Sequence, residues 1–450
     1  MRRLLLPGLI IAAALAVVWG SLFFWRNLRG AGPAWLSPPQ DIAKLLDKDK
    51  GASGGQNLTG FPLKLPPGFS ISIFARGLTT PRVLALDPEG TLLVSLLFDG
   101  RVVALPDRRH RGVADEVVTV RQDLRRPHGL AFLGGKLYIA ETPEVAVYDY
   151  DPKTFQATNK RKIISLPPGG RHFTRTLLFL PGSDTSSGRE GADVQGVEPG
   201  RKNVEQPPPA VAEQARAPAP HSQGPSRNSP RLLISVGSDC NVCVEKDWRY
   251  AKILVADAEG RGLKPFASGL RNAVFMALHP VNHQVWATEM GRDYLGDNLP
   301  PDEINIIEEG EDYGWPWCYG KQVHDRAFDP SGSHKEFCRS TAPAYLDIPA
   351  HSSPLGLAFF PKEWPEEYRH HLLVAYHGSW NRTIPTGYKV VRYRLDSQGR
   401  YLGVEDFITG WLRPGGQALG RPVDILIRPD GVIFISDDKA GVIYRVTYIK

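Results

Sequence analysis

The segments LRRPHGLAFLGGKLYIAE, residues 124–141, and GRPVDILIRPDGVIFISDD, residues 420–438, share one pattern. Each has a short apolar strand, a tight turn and a second alternating strand. The same unit reads as GLTTPRVLALDPEGTLLVS (77–95), GLRNAVFMALHPVNHQVWATE (269–289) and SSPLGLAFFPKEWPEEYRHHLLVAYHG (352–378). A further copy starts at RHFTRTLLFLPG (171–182) and resumes at RLLISVGSD (231–239). Outer strands such as GRVVALPD, YKVVRYRLD and GVIYRVTY follow. Six units of several strands predict an all-β, six-bladed β-propeller over residues 61–450, because radial repetition protects sheet edges. A β-sandwich array fits one continuous set of six similar hairpins poorly.

The stretch from 183 to 230 interrupts one hairpin. It is rich in Pro, Ala, Gly, Ser and charge, with almost no apolar anchor, and reads as a disordered insertion. Ahead of the repeats, residues 31–60 read as a flexible tether with one short helical patch, DIAKLLDKDK. After Met1-Arg2-Arg3 comes LLLPGLIIAAALAVVWGSLFFW, a 22-residue run without charge that Arg26 and Arg29 close. Its length suits a transmembrane helix with a cytoplasmic start, so residues 1–30 are expected to anchor the chain in a bacterial inner membrane. A cleaved signal peptide is the alternative, and both place the propeller in the periplasm.

The net charge of +6 is spread without a lysine-rich run, which argues against a nucleic-acid partner. The 45 Gly and 39 Pro suit a fold with many tight turns. In an oxidising compartment the four cysteines, Cys240, Cys243, Cys318 and Cys338, favour disulfides of undetermined connectivity. Cys240 and Cys243 have the spacing of a zinc or redox pair, but Cys318 and Cys338 lack the second short spacing of a zinc knuckle.

Propeller topology locates chemistry. Residues just before each first strand and just after each second strand converge on one mouth. In the first class are Pro127-His128, His172, Arg271-Asn272 and Arg421. In the second are Glu141, the Cys240–Cys243 loop, the stretch opening at Glu289, and His377 to Arg382. A neutral imidazole can act as a base near pH 7. Arginines with neighbouring amides suit an anion or carboxylates. There is no G-x-S-x-G elbow, no G-x-G-x-x-G after a strand and no P-loop, which argues against a serine hydrolase, a nicotinamide enzyme and a nucleotidase. The acids after Asp293 do not match an EF-hand, since Leu295 stands at its third position.

The motifs RPHGLAF (126–132), HFTR (172–175), SVGSDCNVC (235–243), GLRN (269–272), TEMGRDYLGDNLPPDEIN (288–305), DYGWPWC (312–318) and HGSWNR (377–382) together resemble the glucose/sorbosone dehydrogenase family, closest to its sorbosone-dehydrogenase-like branch. The resemblance covers about residues 61–450. It implies a quinoprotein using pyrroloquinoline quinone and calcium to oxidise an aldose or an aldehyde. His172 matches the family's base, which takes the substrate hydroxyl proton while hydride passes to the quinone. Arg271 matches the arginine that steadies the reduced carbonyl oxygen, and Asn272 its neighbour. Arg421 matches an arginine that pairs a cofactor carboxylate. Gly291 and Arg292 match residues whose carbonyls hold the cofactor's calcium, and Glu303 and the Tyr313 carbonyl match ligands of a structural calcium. His128, Asn241 and Arg382 are further candidate cofactor contacts.

The chain also departs from the family. Val423 stands where the glucose enzymes carry a second cofactor arginine, and Arg292 where they carry a proline. Pro127 replaces a glutamine, Met290 stands where a polar residue is expected, and only Arg382 or Lys389 could stand in for their lysine. Electrons would pass to a quinone or cytochrome. Two alternatives carry different expectations: a cofactor-free binding propeller, and a calcium-dependent lactonase with an axial carboxylate pocket.

Overall fold

The computed structural model describes residues 2–36, 54–182 and 229–448, with side chains from Ile11 onward. The helical patch expected over 41–50 and nearly all of the expected insertion, 183–228, lie outside the described residues. Strands of the described body form six radial sheets and one small two-stranded ribbon. Five blades are plain four-stranded meanders, with Pro81–Leu86, Leu130–Leu133, Leu177–Leu180, Ala273–Leu278 and Pro354–Phe359 innermost. The sixth, five-stranded, takes its inner three strands from Pro422–Ile427, Val432–Asp437 and Val442–Tyr448, its fourth from Phe69–Ala75 and its outermost from Gln56–Asn57. That pairing, from Phe69 against Tyr448 to Ala75 against Ile443, closes the ring. The six-bladed propeller expected from the repeats is therefore the observed fold.

Blades pack face to face, so second strands are covered on both sides and read as continuous apolar runs. Leu92–Leu96 and Leu372–Tyr376 are buried at every position. Outer strands alternate or stay exposed, as Gln156–Ser165 does. Trp286, fully buried, packs against Tyr345 and Phe359 between the fourth and fifth blades.

A second device works near the axis. Inner strands slip register against their neighbours between Pro81 and Leu84, Ala273 and Met276, Pro354 and Leu357, and Pro422 and Ile425. Such bulges leave backbone groups outside the ladder. A hydroxyl from the second strand meets them in two blades, Ser95 Oγ accepting from Val83 N at 3.0 Å and Ser436 Oγ from Asp424 N at 3.0 Å; in the unbulged third blade Ser235 Oγ likewise accepts from Thr176 N at 3.1 Å. Two second-strand hydroxyls also reach the next blade, Ser436 Oγ donating to Arg82 O at 2.6 Å and Thr288 Oγ1 to Leu355 O at 2.7 Å.

The N-terminal helix runs Arg2–Asn27, about 39 Å at 1.5 Å per residue. Among the described residues no helix is long and apolar enough to cross a membrane. Its end docks on the body: Phe23 meets Tyr294 at 5.3 Å between ring centroids, and Trp35 stacks on Trp380 at 6.2 Å. A Cβ on Gly30 would fall 1.7 Å from Arg382 O, so only glycine permits this approach. Ordered structure also begins before residue 61, with Gln56–Asn57 pairing alongside Ser70 and Ile71. Residues 31–36 and 54–60 are thus built into the body, which narrows the tether expected over 31–60.

Both disulfides form, Cys240 with Cys243 and Cys318 with Cys338. Replacing Ser436 by Ala orphans Asp424 N and Arg82 O at the ring centre. We expect a loss of about 1–3 kcal/mol, read as a lowered urea midpoint with unchanged slope.

Candidate functional site

The loops before inner strands and after second strands meet on one face, as the topology requires. Acids ending the second strands fix the residues that precede the inner ones. Glu289 Oε1 accepts from Asn272 N at 2.8 Å, and Asp437 Oδ1 accepts from Arg421 N at 2.8 Å. Asp302 ties two blades, accepting Gly291 N at 2.9 Å and Ser353 N at 2.8 Å. Burial nevertheless pushes its carboxyl up to about 7.

His172 lies partly exposed at the base of the mouth. Its Nδ1 faces Ser238 O at 3.0 Å and Ser238 Oγ at 2.9 Å. The carbonyl accepts only, so the proton sits on Nδ1 and the Nε2 lone pair is left for a ligand. Surrounding protein, and then the Arg271 charge, hold this imidazole well below its ordinary pKa. It is a neutral base at pH 7. Close packing sets its place, because a Cβ on Gly237 would lie 2.7 Å from His172 Cβ and 2.5 Å from Asn272 Oδ1.

Arg271 is buried and fully engaged. Nε donates to Asn241 O at 2.9 Å, and Nη1 to Met290 O at 3.1 Å and Gly291 O at 2.9 Å. Nη2 donates to Asn241 Oδ1 at 2.9 Å and Asp293 Oδ2 at 3.2 Å. Asp293 is the hub that the residue types alone did not reveal. It also receives Arg171 Nη2 at 2.7 Å and Asn381 Nδ2 at 2.8 Å, joining loops of three blades around the mouth. Arg421 stacks over Tyr388 and donates to His377 O at 3.0 Å and Gly378 O at 2.6 Å. Its Nη1 keeps its donors free of protein acceptors among the described residues.

The other candidates separate. His128 is 0% exposed, with Nδ1 on Arg175 O at 3.2 Å and its ring against Phe275. It is fully buried and does not line the open mouth, and its Nε2 has no partner among the described residues. Asn241 is at the mouth, but its amide bridges Arg271 and Asp293. Arg382 lies at the rim, donating to Asn298 Oδ1 at 3.1 Å, and Arg292 pairs with Asp325 at 2.8 Å. Lys389 pairs with Asp406 across the two outer strands of its blade, and Val423 is buried core. Met290 Sδ faces Asn272 Nδ2 at 3.5 Å.

Glu303 and Tyr313 lie below the mouth. They line a small cavity of about 20 Å³ with Glu289, Gly291 and Arg292. That volume suits one small ion or water. Glu289 Oε2 is buried there without a partner among the described residues, and the cavity acids fit a cation. The upper calcium position differs, because Gly291 O already accepts from Arg271. A dication there meets a guanidinium, so the residues fit calcium only together with an anionic ligand that bridges the two. Arg421 and Arg171, facing the mouth, fit such a polyanion. The trio Cys240, Cys243 and Glu245 is near enough for a metal, but its sulfurs are joined.

The TrAA12-like family model matches residues 63–186 and 257–449. An uncharacterized protein of Borreliella burgdorferi is 29% identical, covering 86% of this chain and 91% of its own. A pyrroloquinoline quinone-dependent pyranose dehydrogenase of Coprinopsis cinerea is 26% identical over 86% of this chain. The match takes in 54% of that relative, so the chain spans about half its length. Among solved structures, the holo form of the Coprinopsis cinerea pyranose dehydrogenase PQQ domain superposes with TM-score 0.65 at 21% identity, covering 88% of this chain and 98% of that one. The PQQ-bound aldose sugar dehydrogenase of Streptomyces coelicolor gives TM-score 0.53 at 16% identity, covering 85% and 99%. At these identities the two structures speak for the fold.

The His172 ring should stay neutral, with its proton on Nδ1, from pH 8 down to pH 6. Imidazole nitrogen shifts from histidine-labelled protein check this; a midpoint at or above the free value near 6.5 would contradict the geometry.

Proposed function

The chain belongs to the TrAA12-like family, and from that premise we propose that it is a quinone-dependent dehydrogenase that oxidises an aldose or a related aldehyde. The observation carrying this reading is His172, a neutral imidazole whose proton is committed to Ser238 and whose Nε2 is available at a mouth ringed by arginines. Bound pyrroloquinoline quinone would supply a two-electron acceptor beside it. Arg421 and Asn272 are the residues assigned to hold that cofactor, and the Gly291 and Arg292 carbonyls its calcium. Glu303 and the Tyr313 carbonyl are assigned to a structural calcium.

His172 Nε2 takes the proton from the substrate hydroxyl as the carbon loses hydride. Ser238 keeps the ring's proton on Nδ1, so the basic atom points outward rather than into the loop. Arg271 places fixed positive charge beside the forming carbonyl oxygen; releasing one of its five protein contacts would free a donor for it. The reduced enzyme would pass electrons to a quinone or cytochrome. For localisation we propose that the uncharged 22-residue run closed by Arg26 anchors the chain in an inner membrane, with the propeller in the periplasm. The support is that run in the sequence, since no described helix by itself has the length and apolarity of a span.

One observation favours a cofactor-free binding propeller instead: every Arg271 donor already has a protein acceptor. Reconstitution separates the two. Purified protein loaded with pyrroloquinoline quinone and calcium should reduce a redox dye over a sugar and aldehyde panel. No cofactor uptake at micromolar concentration would sink the dehydrogenase reading.

His172→Ala should retain the bound cofactor yet lose about 10²–10⁴-fold in kcat. Chelation should release calcium and cofactor together from the upper site, followed as loss of quinone absorbance on desalting.

A further inference from the structure

The loop 238–243 touches both central side chains. At one end Ser238 holds His172 Nδ1, and Ser238 N donates to Arg271 O at 2.6 Å. In its middle Asn241 takes Arg271 Nε and Nη2, accepts Asp293 N and donates to Asp293 O. Ser238 Oγ also donates to Cys240 O at 2.7 Å, linking the two ends. Cys240 and Cys243 bracket Asn241, and their disulfide closes a ring of four residues around it.

So short a ring does little for the global fold. Cross-links constrain the unfolded chain more as the loop they close lengthens, and here the separation is 3 against 20 for Cys318–Cys338. Its effect is local. Without it the loop has no regular secondary structure of its own, and one asparagine would align an arginine from the next blade while a serine aligns the histidine.

We propose that the Cys240–Cys243 disulfide is a positioning clamp that keeps His172 and Arg271 in mutual register by freezing the loop around Asn241. This rests on the dehydrogenase reading for its kinetic consequence, not for its structural one. Cys240, Cys243 and Asn241 are positioning residues; they act through the two side chains they hold. The clamp is also reducible in principle. Both cysteines are partly exposed, and a dithiol reagent would supply the two electrons and two protons that convert the disulfide into two thiols.

The test compares the full-length protein with its Cys240→Ser/Cys243→Ser variant. Amide exchange is read by mass spectrometry on cofactor-free protein, over peptides covering 236–244 and 289–294. Both segments should exchange about tenfold faster or more, with the melting temperature lowered by no more than a few degrees. In the dye-coupled assay kcat should fall about tenfold or more, with KM changed by less than about threefold. Unchanged exchange together with kcat within about twofold overturns the proposal. Should the double variant melt far lower, Asn241→Ala with the disulfide intact takes its place; normal exchange and turnover there also overturn it. His172→Ala is run in parallel. If it too leaves turnover intact, the functional reading fails; if it abolishes turnover while the double variant is normal, the clamp alone fails.

Discussion

Backbone polar groups stranded beside the propeller axis set the terms for the rest of the molecule. Each bulged inner strand takes N–H and carbonyl groups out of the ladder at a place sealed from solvent. Where the second strand offers a hydroxyl it meets them, and Ser436 does both at once, accepting from its own inner strand and donating to the next blade. Ser95, Ser235, Thr288 and Ser436 therefore stand at equivalent places in four blades. The blades are held in angular register by these bonds, while the apolar faces between them contribute bulk burial without direction.

That register builds the mouth. One residue beyond Thr288 and Ser436 come Glu289 and Asp437, whose carboxylates hold the amides of Asn272 and Arg421. Asp293 then draws arginines and an asparagine from neighbouring blades together. Cationic and anionic side chains alternate around the site. Neutral His172 follows first from its burial by surrounding protein, which disfavours a charged ring, and then from the Arg271 charge beside it.

Much of this was legible in the residues. The six hairpins show in the alternation of apolar runs with turns, and the residues flanking them do converge. What escaped reading has physical causes. Asp293 finds its partners 122, 22 and 88 residues away, distances at which local pattern carries nothing. His128 stands just before an inner strand like Arg271, yet its ring is buried against Arg175 O and Phe275, and no local periodicity sets the direction of a side chain outside a strand. Arg382 reads as a mouth arginine, but Asn298 and Ala350 hold its guanidinium at the rim. Asn241 was legible as a site residue, though not as a bridge. The second strands announced the Ser/Thr positions in plain view, as LLVS, LLIS, VWAT and IFIS, but hydroxyls in an apolar run carry meaning only once the bulge opposite them is known.

The ring closes where Phe69–Ala75 joins Val442–Tyr448, so the two ends of the propeller lie side by side in one sheet. A circle has no privileged starting point. The blade order would be the same if the chain were joined there through a short linker and opened elsewhere, and the hairpin between Leu177–Leu180 and Arg231–Val236 already accommodates a long departure from the repeat. What fixes the present start is then not the propeller itself but what precedes it: the segment through Gly30 and Trp35 that reaches the mouth loops before the first blade begins. A circularly permuted chain could keep every blade and still lose that neighbour, which makes the start of the chain part of the mouth's architecture and not of the ring's.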